Sequence, residues 1–238
     1  GVTGPNEYEN NINNNFYTNY LASWCLHYAA EQVTTLQKED ITKEEIQQWL
    51  HIAQNIYLPY SEKYGVYLQQ DGFLDKDLKP VTEIPAEERP LNQHWSWDRI
   101  LRSPYIKQAD TLQGFYFFED HFTKEELQKH YEFYEPFTVH ESSLSPCVHS
   151  VLASALGKTD EAYTLYLRTA RLDLDDYNKE VHEGLHITSM AGTWLSIVEG
   201  FAGMRVKNGK LTFTPRLPKH WKSLSFKVIF QGETKEIK

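Results

Sequence analysis

At 238 residues, with 40% hydrophobic and 14% aromatic side chains, the chain has ample material for one large domain or a domain and a half around a packed core. Thirty-three acidic against 24 basic residues give a formal charge of −9 with no Lys/Arg stripe, which argues against a nucleic-acid partner. Nothing resembles a signal peptide and no run approaches the roughly 18 apolar residues of a membrane span, while Cys25 and Cys147 have neither metal-site spacing nor disulfide density, so a cytoplasmic location is expected.

The chain opens without Met on the run GPNEYE, an opening expected of a piece of a longer protein. Glu7 and Glu9 stand beside a Gly-Pro turn ahead of an Asn-rich stretch. They read either as turn and helix-entry acids or as catalytic carboxylates, and composition alone does not choose. From Asn14 to about Glu31, Phe16, Tyr17, Tyr20, Leu21, Trp24, Cys25 and Tyr28 recur at helical spacing. Thr42 with Glu45 three residues on is a capping-box pattern, and it opens a second helix that Pro59 stops.

Residues 60–104 carry Gly65, Gly72, Pro80, Pro85, Pro90 and Pro104 with little periodicity, and are expected to form a long connection with at most short strands. Connections of that length are usually functional. Helical patterns return at 105–118, at 123–133 with Thr123 and Glu126 as a second capping box, at 145–156, 159–171 and 187–201, making seven helices in all. After Gly203 the period changes to two. MRVKNGKLTFTP alternates around Asn208-Gly209, the signal of a tight hairpin, and SLSFKVIF forms another alternating run before Gly232.

Several motifs carry a possible chemistry beside a plainer reading. HEGLH, His182 to His186, matches the zincin string, but Gly184 weakens the helix it needs and no third ligand follows at a zincin spacing, so no metal site is expected. Gly203 to Lys210 is one residue too long for a phosphate loop and has Leu211 in place of its Ser/Thr. FTVHESSLSP gathers Thr138, His140, Ser142 and Ser143 before a helix with Ser145 as cap and Pro146 at its first position; the group serves either capping or an anion. Backbone donors at Ala191-Gly192-Thr193 would suit the same anion. Lys107 and Gln108 could bind sugar hydroxyls, and Trp95 and Trp97 could cover apolar sugar faces, although a loop Trp is more often a packing residue.

Taken in order, GPNEYE, the Asn-rich stretch before YTNYLA, NQHWSWDRILRS, IKQAD, YEPFTVHESSLSP, GLHITSMAGTW and GFAGMRV resemble glycoside hydrolase family sixty-five over nearly the whole chain. NQHWSWDRILRS and FYFFED are most similar to the members that cleave maltose. The resemblance implies a mainly α fold. Residues 1–202 would be the C-terminal portion of a catalytic (α/α)6 barrel, a toroid of helical hairpins, and 203–238 the first strands of a C-terminal β-sandwich.

The implied activity is that of an inverting disaccharide phosphorylase: inorganic phosphate, a co-substrate with no further cofactor, attacks maltose to give β-glucose 1-phosphate and glucose. The Glu of the family's G-P-x-E-Y motif matches Glu7, which would be the general acid; Asn6 stands where Asp is more usual. Phosphate would fall to His140, Ser142, Ser143, Gly192 and Thr193, and the transferred glucose to Lys107 and Gln108. An inverting hydrolase needs a second carboxylate to activate water, whereas phosphate is already a nucleophilic anion, so an anion pocket can replace that base. The resemblance also implies a homodimer in the full-length enzyme, with no nucleic-acid or membrane partner. Two other readings stay open. One is a hydrolase of the same family using Glu135 or Glu141 as base; the other is a noncatalytic sugar-binding module.

Overall fold

The computed structural model describes residues 1–38 and 40–238, and the chain divides into two compact units, Gly1–Glu141 and Ser142–Lys238. In the first, α1 (Phe16–Thr35) is started by Asn15, whose side chain accepts the Thr18 amide, and packs on α2 (Lys43–Asn55). Thr42 and Glu45 complete the expected capping box on α2 by bonding reciprocally. Phe16 is fully buried and stacks on Tyr67 at 4.8 Å, which fixes the start of α1 against the connection that follows.

That connection is more ordered than its composition predicts. Two-residue strands β1 (Tyr60–Ser61) and β2 (Val66–Tyr67) pair antiparallel, three 3-10 turns follow, and two short helices form, α3 (Leu91–His94) and α4 (Trp97–Arg102). Neither helix is long enough to show a period in sequence; α4 is announced only by Ser96, whose hydroxyl accepts the Arg99 amide. The helix expected over 105–118 begins only at Thr111, as α5 (Thr111–Phe117). Residues 105–110 are held out of it because Ile106 bonds both ways with the Phe137–Val139 segment, accepting from one amide and donating to one carbonyl at 2.9 Å. Helix α6 (Lys124–Tyr134) carries the second capping box.

In the second unit α7 (Pro146–Leu156) ends at Gly157 in the left-handed region and turns back as α8 (Thr159–Ala170). The Ser150 hydroxyl donates to the Ala162 carbonyl between them. The helix expected at 187–201 is α9 (Ile187–Leu195) continued as a π-helix, Ser196–Phe201. The Ser196 hydroxyl donates back to the Gly192 carbonyl where the winding changes.

Strands β3 (Arg205–Lys207) and β4 (Lys210–Thr212) pair antiparallel across Asn208-Gly209, both at positive φ as a type I′ turn requires. Strand β5 (Phe226–Phe230) pairs with β6 (Glu233–Ile237) across a second such turn at Gln231-Gly232. The charged residues of the last strand had hidden it. The described residues thus hold nine α-helices rather than seven, and no described helix is long and apolar enough to cross a membrane.

Candidate active site

The opening turn of the first unit is knotted to the segment before α5. Asn6 is the hub: its Oδ1 accepts the Tyr8 amide at 3.1 Å and the Lys107 amide at 2.9 Å, and its own amide donates to Asp110 Oδ2 at 3.0 Å. An aspartate at position 6 could accept the same two amides, so the Asn keeps this geometry. Asp110 also accepts from Asn15 Nδ2 at 2.9 Å, and Gln108 Nε2 donates to the Pro5 carbonyl at 2.7 Å. Burial raises the Asp110 carboxyl to about 6, against the opposing pull of the Asn6 and Asn15 bonds. Gly4 lies against this pair so closely that a Cβ would stand 2.5 Å from both Asn15 Nδ2 and Asp110 Oδ2.

The knot presents Glu7 outward. Its side chain is 54% exposed, and Oε2 lies 2.6 Å from Nζ of Lys107, itself 22% exposed. The other nearby carboxylates face inward. Glu9 is buried against Lys76, whose ammonium also donates to the Leu101 and Ser103 carbonyls and is lowered to about 8 by burial. Glu141 is buried with both oxygens engaged: Oε1 accepts from Arg89 Nε at 3.1 Å, and Oε2 accepts the Tyr8 hydroxyl at 2.9 Å and the Leu91 amide at 2.8 Å. With three donors on its two oxygens and only 3% of the residue exposed, Glu141 is held as a buried structural acceptor, which disfavours it as a base that activates water. Tyr8 itself sits in a core cluster with Ile84, Leu91, Ile100, Tyr105 and Val139.

The structure therefore gathers Glu7, Lys107 and Gln108 around one turn. His140, also in the first unit, adopts a left-handed φ of 55° and meets Glu135 Oε1 at 3.1 Å through Nε2. The Oε1 atom of Gln108 is buried without a donor among the described residues. Sequence reading passes over Asp110 and Asn15, and it weighs Glu141 only as a hydrolytic base and not as an anchor for Tyr8. All three are polar side chains buried by contacts from distant segments, and no local pattern announces them.

In the second unit Ser142 Oγ accepts the Leu144 amide at 3.2 Å, and the Ser143 and Thr188 hydroxyls are 2.6 Å apart. Ser145 occupies the cap position of α7, but its hydroxyl makes no capping bond to the helix. Gly192 packs on Cys147, where a Cβ would come within 2.7 Å, and the Thr193 hydroxyl donates to the Ser189 carbonyl at 2.9 Å. HEGLH does not form the zincin helix. Val181–Glu183 is a 3-10 turn, Gly184 breaks it at φ 126°, and His186 begins the next helix. His186 is instead held by Asp173, which accepts from Nδ1 at 2.6 Å and from the backbone amide at 2.9 Å. Desolvation works against the Asp173 carboxylate, yet the His186 bonds hold it below the ordinary carboxylate range.

Residues 1–195 match the glycosyl hydrolase family 65 central catalytic domain, and residues 204–237 match that family's C-terminal domain. The chain is 55% identical over 237 residues to a maltose phosphorylase of Bacillus subtilis (strain 168), covering 98% of this chain and 31% of the relative. It is 45% identical to an α,α-trehalose phosphorylase of Thermoanaerobacter brockii, over 100% of this chain and 32% of that protein. A solved structure described as a candidate kojibiose phosphorylase from the human microbiome superposes with a TM-score of 0.89 at 36% identity, covering 100% of this chain and 34% of that one. The chain spans about a third of the length of the curated relatives it matches.

Proposed function

The chain belongs to glycosyl hydrolase family 65, whose central domain is an (α/α)6 barrel, and from that premise we propose that it supplies the acid-bearing part of an inverting disaccharide phosphorylase acting on maltose. Glu7 is the general acid. An oxygen of inorganic phosphate bonds to C1 of the glucosyl unit from one face while the C1–O bond on the other face breaks; the Glu7 proton goes to the departing oxygen, giving β-glucose 1-phosphate and glucose. The observation that carries this reading is the contrast among carboxylates: Glu7 is held outward on a rigid turn, while Glu9 and Glu141 are spent in buried bonds.

Lys107 holds the negative charge left on Glu7 once the proton has gone. The unpartnered Oε1 of Gln108 supports a role in accepting a sugar hydroxyl. The hydroxyls of Ser142 and Ser143 suit phosphate oxygens, and the family resemblance adds His140, Gly192 and Thr193 to that set. The Gly192 and Thr193 amides lie inside α9 and the Thr193 hydroxyl is given to the Ser189 carbonyl, so the phosphate reading stands on the two serines. Residues 1–202 form the catalytic portion and 203–238 open a C-terminal β-domain, a boundary supported by the change from helices to β3–β6. Maltose is favoured over trehalose by the higher identity to the maltose-acting relative.

The test is to incubate a full-length enzyme carrying this segment with maltose, trehalose and kojibiose, with and without phosphate. Phosphate-dependent release of β-glucose 1-phosphate from maltose is expected. Glucose release independent of phosphate would favour the hydrolase reading, and sugar binding without turnover the noncatalytic one.

A further inference from the structure

The turn that carries Glu7 is fastened on both flanks. Before it, the Asn6 amide is bonded to Asp110; after it, Tyr8 drives its ring into the core and ends on Glu141. The Tyr8 ring is 1% exposed and meets the Trp97 ring edge-on at 6.2 Å. Its hydroxyl donates to Glu141 Oε2 and accepts the Asn92 amide at 3.2 Å, so both hydrogen-bonding directions of the phenol are used. Glu141 is fixed in turn by the Leu91 amide and by Nε of Arg89, whose Nη2 donates to the Val139 carbonyl at 2.6 Å. A buried carboxylate with three donors holds its position far more tightly than an exposed one.

We propose that Glu141, acting through the Tyr8 hydroxyl, is a positioning residue that sets where the Glu7 carboxyl stands relative to the departing oxygen. The inference rests on the reading of Glu7 as general acid. Tyr8 is adjacent to Glu7, so a shift of the phenol against Glu141 is passed to the Glu7 Cα with no intervening residue to absorb it. A displacement of about 1 Å at a catalytic group costs on the order of 10²-fold in rate. Glu141 touches no substrate in this scheme; its effect falls on proton transfer alone.

Proton transfer can be isolated by the leaving group. A disaccharide must be protonated as it departs, whereas fluoride leaves from an α-glucosyl fluoride without a proton. In a full-length enzyme carrying this segment, Tyr8→Phe and Glu141→Ala should each lower kcat on maltose by about tenfold or more with KM little changed, and leave phosphorolysis of α-glucosyl fluoride near the parent rate. The double variant should be no slower than Glu141→Ala, since the two act through one bond. Glu141→Gln, which keeps an acceptor for the phenol, should recover part of the loss. Unchanged maltose turnover in Tyr8→Phe and Glu141→Ala would overturn the proposal. An equal loss on both substrates would also overturn it, by making the contact a general stabiliser of the fold. Glu7→Gln is the control: if it keeps maltose turnover, the general-acid reading itself fails and the positioning role falls with it, an outcome distinct from normal Tyr8→Phe turnover in a protein whose Glu7→Gln variant is dead.

Discussion

Nζ of Lys107 stands 2.6 Å from Oε2 of Glu7, and the backbone of both residues is held through Asn6, which accepts the Lys107 amide and directly precedes Glu7. Cation and carboxylate thus move as one piece. Replacing Glu7 by Gln keeps the shape and removes the proton donor, so kcat on maltose in the full-length enzyme should fall about 10²–10⁴-fold, the usual span for a general acid. Near-parental turnover would end the assignment.

Lys107→Met removes the charge while keeping most of the stem. A charge-assisted bond contributes roughly 1.5–3 kcal/mol, discounted here because Glu7 is more than half exposed. A loss of about tenfold in kcat is therefore expected, smaller than that of Glu7→Gln. A Lys107→Met loss larger than the Glu7→Gln loss would show that Lys107 has the greater share in catalysis.

Gly4→Ala probes the knot from beneath. The new Cβ would fall 2.5 Å from Asn15 Nδ2 and Asp110 Oδ2, two short side chains that are bonded to each other and have little freedom to retreat. Overpacking of this kind costs about 1–3 kcal/mol. Urea denaturation should show that loss, and maltose turnover should drop with it as the turn is pushed outward. Wild-type stability would mean that the turn yields more easily than its bonds imply.

What could be read from the sequence follows the reach of each interaction. Capping boxes at Thr42 and Thr123 and the Asn208-Gly209 turn are settled within four residues, and all three form as expected. Residues 105–110 fail as a helix because Ile106 pairs with a segment some thirty residues on, which no local period can report. The candidate site divides in the same way. Glu7, Lys107 and Gln108 were named from the family resemblance, but the bonds that bring them together run through Asn6, and the partners that hold Asn6 and Tyr8 in place, Asp110 and Glu141, lie 104 and 133 positions away.

The two thiols should behave oppositely. Cys25 is exposed, whereas Cys147 is buried against α9 and burial pushes its thiol up to about 11. Only about one part in a thousand is then thiolate at pH 8, and that fraction is shielded. Titration of the native chain with a thiol reagent at pH 8 should label one cysteine, mapped to Cys25, and two after denaturation. Rapid labelling of both in the native chain would contradict the packing of Cys147 under Gly192.

His130 gives the chain an acid-sensitive core. Its Nε2 accepts the Tyr67 amide at 2.7 Å and its Nδ1 lies 2.7 Å from the Glu126 carbonyl, so the ring is neutral with the proton on Nδ1. Burial lowers it from 6.5 to about 4, with the Glu126 carbonyl opposing. Between those values the unfolded chain binds a proton that the folded chain refuses, so stability is lost as pH falls from about 6.5 to 4, by up to about 3 kcal/mol. Asp110 acts with the opposite sign: raised from 3.8 to about 6, it holds a proton in the folded state that the unfolded state has released, and so adds stability as pH falls through 6. The two effects offset each other in the parent chain. His130→Leu should be less stable at pH 7, since it leaves the Tyr67 amide without its acceptor, and the gap to the parent should narrow by up to about 3 kcal/mol on acidification to pH 4. Urea denaturation at pH 7, 5.5 and 4 measures that gap directly; a gap that stays constant would mean His130 takes up its proton equally in both states, which the Tyr67 amide on Nε2 forbids.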